Sequence, residues 1–226
     1  NTGAADLTIT RADALALRLA WREAELLHFT SAWGAEFEGI RQPLAETTVL
    51  ESRAGRSSNG AHPWFALFGG AAGTLSMSAA WSGNWVFRLE REGEALAISG
   101  GLHDWAFAKP LAPGARFETP QVVMTLGETN DLNTVTIDYA RVGRRHWYPR
   151  NAVSAKAPVE WNHWWSYEDK AIDEAVFHAN IDAAADMGIE VCTLDAGWFG
   201  PADAQTHWYN VRGDWHLLNA TRFPNG

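Results

Sequence analysis

The stretch "VEWNHWWSYEDKAIDEAVFHANIDAAADMGIEVCTL", residues 159–194, decides the architecture, because its hydrophobic period changes twice. "VEWNHWW" (159–165) is strand-like. "SYEDKAIDEAVFHANIDAAADMG" (166–188) has the spacing of a helix. Ser166 can cap it, and Glu168 and Asp169 fall in a first turn that favours carboxylates. Ile172, Val176, Ala179, Ala183 and Met187 form the expected buried stripe, and Gly188 suits a left-handed stop. "IEVCTL" (189–194) returns to strand, and the near-continuous apolarity of Val191, Cys192 and Leu194 implies burial on both faces. Two strands joined through a helix lie parallel, since a tight hairpin joins only antiparallel ones.

Upstream, residues 1 to about 128 read as β-rich. "ALALRLAWR" (14–22) alternates, with Leu15, Leu17, Leu19 and Trp21 on one face. "TLSMSAAW" (74–81), "NWVFRLERE" (84–92), "ALAIS" (95–99) and "QVVMTLG" (121–127) are further strands. Turn-rich segments such as "FGGAAG", "WSGN", "SGG" and "KPLAPGA" separate them. Many short strands with turns between them predict a β-sandwich. In "DLNTVTIDYARVGRRHW" the period becomes helical through Leu132, Val135, Tyr139 and Val142, with Asn130 or Asp131 as N-cap. The expected division is a β-sandwich over 1–130, a helix and linker over 131–157, and an α/β domain over 158–226. A two-stranded parallel sheet needs cover on both faces, and after Leu194 only 32 residues follow, without another helix pattern. The second domain is therefore expected to be incomplete, the chain being a piece of a longer protein.

The net charge of −9 argues against nucleic-acid or anionic-membrane partners, and no run of about 18 apolar residues is long enough to span a bilayer. The single cysteine, Cys192, excludes an internal disulfide framework and favours a reducing compartment such as the cytoplasm. It has no helix start or basic neighbour to activate it, so a structural thiol is expected. The eight histidines lack H-x-x-x-H or H-E-x-x-H spacing, so no metal site is expected; His163 draws notice because it sits at a strand end. "FGGAAG" lacks the lysine and following helix of a phosphate loop. The chain carries 13 tryptophans, clustered at Trp81/Trp85, Trp161/Trp164/Trp165 and Trp198/Trp208/Trp215, which suits either core filling or stacking on sugar rings.

In parallel α/β folds ligands bind beyond the carboxyl ends of the strands. Both strands here end in polar and aromatic residues: Trp164, Trp165 and Ser166 after the first, Asp195 and Trp198 after the second. A carboxylate beside an indole fits a sugar, accepting from hydroxyls while the ring packs on C–H groups. The lesser alternative for Asp195 is a cap of the turn that follows, and for Trp198 simple packing stands level with ligand contact.

"WSGNW" (81–85), "WNHWWSY" (161–167), "MGIEVCTLDAGWFG" (187–200), "GDW" (213–215) and "RFPNG" (222–226) occur in an order and spacing that resembles glycoside hydrolase family 36, the α-galactosidases and their relatives. The resemblance implies a β-sandwich followed by the first β-α-β of a (β/α)8 barrel. It also implies a retaining α-glycosidase acting on α-linked oligosaccharides with two aspartates about 5 to 5.5 Å apart, needing no metal or organic cofactor. Both catalytic residues belong to later barrel strands, so they are expected beyond Gly226 and this chain alone is expected to be inert. The residues it does carry are sugar contacts: Asp195 and Trp198, then Trp164 and Asp214. In the family's usual motif two consecutive aspartates hold the O4 and O6 hydroxyls of galactose; Asp195 matches the first, but Ala196 stands in the second place. The usual Asn-x-Trp-Glu also departs, with Trp165 after Trp164. These departures leave N-acetylgalactosamine or another α-linked sugar open as the ligand, and the family includes galactosyl-transferring relatives. A non-catalytic carbohydrate-binding sandwich is the reading from another class, and the family's sandwich implies assembly into homo-oligomers.

Overall fold

The structure is a computed structural model; it describes residues 1–128 and 130–226. They form two compact units, Asn1–Tyr148 and Pro149–Gly226. The helix that follows the strands thus belongs to the first unit.

In the first unit every strand pairing is antiparallel. One sheet has the order β2 (Asp13–Leu19), β10 (Ala95–Leu102), β9 (Trp85–Glu92), β5 (Thr47–Ser52). The other has β12 (Val122–Gly127), β8 (Thr74–Ala79), β7 (Trp64–Phe68), β3 (Glu25–Ala32), β4 (Ala35–Pro43), with β6 (Gly60–Ala61) also on β3. A small ribbon pairs β1 (Leu7–Ile9) with β11 (Lys109–Leu111). Alternation puts Phe87, Leu89, Leu96 and Ile98 of one sheet against Leu26, Phe65, Leu67, Leu75 and Met77 of the other. Leu15, Leu17, Leu19 and Trp21 pack on this core, as their period requires.

β7 and β8 are buried at every position, including their outward residues. The cause is helix α1 (Leu132–His146), whose Leu132 and Tyr139 cover Leu27, Trp64, Ala66 and Phe68 on the outer face of that sheet. Asp131 caps the helix by accepting from the Asn133 N–H. Strand β10 runs through "SGG", which the sequence alone reads as a separator. Gly100 and Gly101 adopt φ of 147° and 130° at a bulge, and a Cβ on Gly100 would stand 2.0 Å from the Val86 carbonyl oxygen. Glycine here serves close strand approach rather than a turn.

In the second unit β13 (Glu160–Asn162) and β14 (Val191–Thr193) pair in parallel, Trp161 opposite Cys192. Two helices lie between them, α2 (Trp164–Tyr167) and α3 (Glu174–Asp186), rather than one helix capped by Ser166. Glu168, at φ 51°, ends the first, and Asp173 caps the second by accepting from the Val176 N–H at 2.8 Å. The break follows from Asp169, which turns inward to tertiary partners instead of serving a first helical turn. The helix also turns a different face inward. Phe177, Ile181 and Ala184 are sheltered, with Phe177 stacked on Trp161, whereas Ala179 and Ala183 are exposed and Met187 is 71% exposed. Ile172 is buried as expected, but ahead of the helix. Val191, Cys192 and Leu194 are half-buried rather than enclosed, since β14 has β13 as its one strand neighbour among the described residues.

Candidate functional site

The carboxyl ends of β13 and β14 place Asn162 beside Asp195. Asn162 Nδ2 donates to Asp195 Oδ2 at 3.0 Å, and its Oδ1 accepts from the Trp164 N–H at 2.8 Å. The other oxygen of Asp195, Oδ1, accepts from the Ala196 N–H at 2.8 Å. His163, fully buried, accepts the Asp195 N–H on Nδ1 at 3.0 Å. That bond places the imidazole proton on Nε2, which is buried and has no hydrogen-bond partner among the described residues. An ionised carboxylate offers about four lone-pair positions, of which these contacts use two. The exposed Asp195 thus keeps acceptor capacity facing outward while its backbone and side chain are both held.

The chain after Asp195 is folded back by buried polar groups. Gly197 has φ 114°, and a Cβ there would stand 2.8 Å from the Asp169 carbonyl oxygen, so the bend after the strand needs glycine. Arg222, 5% exposed, donates to the carbonyls of Gly197, Ala204 and Thr206. Asn219 accepts nothing on its buried Oδ1 among the described residues but donates through Nδ2 to the Asp203 carbonyl, while its N–H reaches the Trp198 carbonyl. Asp169 is buried, and its Oδ2 accepts from His207 Nδ1–H at 2.6 Å and from the Trp208 N–H at 2.7 Å. Burial pushes the Asp169 pKa up, but those two bonds and the neighbouring imidazole outweigh it, and the net shift is below the usual carboxylate value.

Of the residues expected to contact sugar, Asp195 and Trp164 come together through Asn162. Trp164 is half-buried, and its ring meets Trp208 at 5.6 Å and 90°. Trp198 faces elsewhere: it packs edge-on against Phe199 and lines a groove with Phe177, Ile181, Leu194 and Phe223 along α3. Asp214 sits half-buried in its loop, its N–H bonded to the Val211 carbonyl and its carbonyl to the Leu217 N–H. Sequence reasoning placed Asp169 in a helical first turn rather than here, and it gave no role to Arg222 or to Trp208 beyond a tryptophan cluster. Trp208 carried one signal, its place in a tryptophan cluster; Asp169 and Arg222 carried none, because their partners are distant in sequence. Among the described residues no group of three or more His, Cys, Asp or Glu side chains is placed to hold a metal ion.

Comparison with known proteins adds an independent line. Residues 1–112 match the glycosyl hydrolase family 36 N-terminal domain, and residues 116–226 match the melibiase family. The α-galactosidase AgaA of Geobacillus stearothermophilus is 30% identical over 234 residues, covering 100% of this chain and 31% of AgaA. α-Galactosidase 2 of Hypocrea jecorina is 25% identical, with 100% of this chain and 31% of the relative covered. The crystal structure of AgaA superposes with a TM-score of 0.87 at 29% identity, over 100% of this chain and 32% of AgaA. A variant of AgaA in complex with stachyose superposes with a TM-score of 0.86 at 28% identity, with coverage of 100% and 32%. The chain spans about a third of the length of the curated relatives it matches, 31% in both cases above.

Proposed function

We propose, since the chain belongs to glycosyl hydrolase family 36, that it supplies the sugar-holding part of an enzyme that hydrolyses terminal α-galactosides or related α-glycosides. The observation that carries this reading is the fixed carboxylate at the end of β14. Asp195 is gripped by Asn162, His163 and the Ala196 N–H, with acceptor positions left for hydroxyls of a terminal sugar. A group held in one orientation before ligand arrives loses little entropy on binding. Support also comes from relatives named α-galactosidases, and from AgaA variants crystallised with raffinose and with stachyose.

In this reading β13, α3 and β14 begin a (β/α)8 barrel, with 1–130 as the sandwich, 131–157 as helix and linker, and 158–226 as the barrel's start. The reaction proceeds by double displacement: one aspartate attacks the anomeric carbon while another protonates the departing oxygen, then water reverses the step with retention. Those two aspartates lie beyond residue 226, and residues 1–226 alone are inactive. Asp195 contributes by fixing the ring on which they act. Trp164 offers an apolar face beside it, and Asp214 contributes from its loop once the barrel is complete, whereas Trp198, turned to the groove along α3, serves packing.

Ala196 bears on which sugar is held. Its buried methyl stands where the family motif commonly has a second acceptor, so the hydroxyl contacts of galactose are reduced. This observation favours α-N-acetylgalactosaminide as the second reading, because a site lacking a hydroxyl partner discriminates less against altered sugars. The test compares aryl α-galactoside with aryl α-N-acetylgalactosaminide on full-length protein. Asp195→Asn is expected to lower kcat/KM on both by about a hundredfold, in line with loss of a charged hydrogen-bonding partner. Ala196→Asp is expected to shift preference towards the galactoside. Full activity in Asp195→Asn would remove Asp195 from the site, and an unmoved preference in Ala196→Asp would refute its role in selection.

A further inference from the structure

The outer face of the β2–β10–β9–β5 sheet carries charged side chains that take no part in the proposed hydrolysis. We infer that this cluster, together with Trp105, forms a separate sugar-binding site on the sandwich, for a neutral oligosaccharide.

Strand alternation builds the site. Leu50, Phe87 and Leu89 point into the core, so Val49 and Glu51 of β5 and Val86 and Arg88 of β9 point outward. Arg53 follows β5, and His103, Asp104 and Trp105 follow β10. A concavity of about 400 Å3 opens among these residues, within the range of about 300–1,000 Å3 usual for small-ligand pockets. Val49 and Val86 give it apolar lining, and Trp105, 51% exposed, forms part of its wall.

Two carboxylate–guanidinium pairs face the same space. Arg88 Nη2 donates to Asp104 Oδ1 at 2.5 Å, and Arg53 Nη2 donates to Glu51 Oε2 at 3.0 Å. His103, buried, accepts the Trp105 N–H on Nδ1 at 2.8 Å. Its proton is therefore on Nε2, which donates to Glu51 Oε2 at 2.8 Å. Arg53 Nε, 3.1 Å from that nitrogen, then faces a donor rather than an acceptor, so Arg53 keeps N–H capacity to spare. The bonds occupy one oxygen of each carboxylate and leave the other to accept. With the imidazole neutral, two positive groups balance two negative ones, and a charged ligand gains nothing. A sugar hydroxyl, which both donates and accepts, matches such mixed pairs.

The same network fixes the indole. Trp105 is clipped through its backbone to the buried His103, inside a turn closed by the Phe107 N–H on the Asp104 carbonyl at 3.2 Å. Ala106 completes that turn at φ 53°, a region that strains any residue with a Cβ. The strained turn leaves an indole half in water, where it adds nothing to the core. The C–H face of a sugar ring covers such a surface, and a side chain ordered beforehand loses little entropy on binding.

The experiment is calorimetric titration of stachyose into full-length protein saturated with 1-deoxygalactonojirimycin, the ligand held by an AgaA variant. Wild-type protein is expected to retain stachyose binding under that block. Trp105→Ala is expected to weaken the retained binding about tenfold, and Trp105→Phe, which keeps a ring, to recover most of it. Asp104→Asn is expected to weaken it several-fold, and unfolding midpoints of the variants, measured alongside, separate a lost site from a lost fold. No retained binding in the wild type, or retained binding that Trp105→Ala leaves unmoved in a folded protein, would overturn the site. A failure in the reading of Asp195 shows separately, as an inhibitor that gives no heat of its own. The Trp105-dependent part of the stachyose signal is then still read by difference between wild type and Trp105→Ala.

Discussion

Asp195 is oriented by neighbours that each act on a different part of it: Asn162 on one carboxylate oxygen, the Ala196 N–H on the other, His163 on the backbone. The imidazole is the least expected of these, because it uses the buried interior to hold a residue at the surface. His163→Leu would leave the Asp195 N–H without its acceptor, at a cost of about 1–3 kcal/mol. His163→Asn places an amide oxygen near the position of Nδ1. For an α-glycoside substrate the expected outcome is a KM raised several-fold in His163→Leu with a smaller effect on kcat, and substantial recovery in His163→Asn. Matching losses in the two variants, measured by steady-state kinetics on full-length protein, would reduce His163 to a packing residue.

At the scale of the element, α3 shows how tertiary demand resets a helix start. Residues 166–173 carry Ser166, Glu168 and Asp169, all acceptable in a first turn, yet the helix begins at Glu174 behind the Asp173 cap. Once Asp169 is committed to His207 and Trp208, the chain must leave helical geometry, and Asp173 is the next side chain able to satisfy an orphan N–H. Asp173→Ala is expected to destabilise the second unit by about 1 kcal/mol, whereas Ser166→Ala, without a cap to lose, should leave the midpoint of thermal or urea unfolding nearly unmoved. The reverse order of effects would restore the cap to Ser166. The same displacement explains why Phe177, Ile181 and Ala184 form the inward face: the helix is positioned by Phe177 on Trp161, not by the alanine-rich stripe.

At the scale of the whole molecule, the second unit owes its closure to buried polar groups, Asp169 and Arg222 foremost. The folded state holds the Asp169 pKa below its unfolded value, so the unfolded chain binds the proton more readily. The stabilisation is therefore complete above the unfolded carboxylate pKa of about 4 and is lost as pH falls through the lower folded value. Denaturation midpoints of the second unit, followed by tryptophan fluorescence, are expected to drop as pH falls below about 5, and Asp169→Asn should flatten that dependence while lowering stability at neutral pH. An identical acid profile in Asp169→Asn would assign the acid sensitivity to other carboxylates. In the first unit the corresponding role falls to apolar contact. The two sheets close over Phe65, Phe87 and their neighbours, and α1 covers the outer side of β7 and β8.

The sequence by itself determined the class of each part. Period-two alternation specified the half-buried strands, the change of period after β12 specified a helix capped at Asn130 or Asp131, of which the structure uses Asp131, and strand-helix-strand specified the parallel pair. It also singled out Asp195 as the carboxylate at a strand tip, because local pattern and local chemistry coincide there. Only the tertiary structure decided which residues surround it. That His163 holds Asp195 from within, that Trp198 turns to the α3 groove while Trp208 joins Trp164, and that Asp169 leaves its helix are outcomes of contacts between residues dozens of positions apart. A buried polar group takes whichever partner the fold brings within hydrogen-bonding distance, and the penalty for leaving it unpaired is set by that environment rather than by its neighbours in the chain.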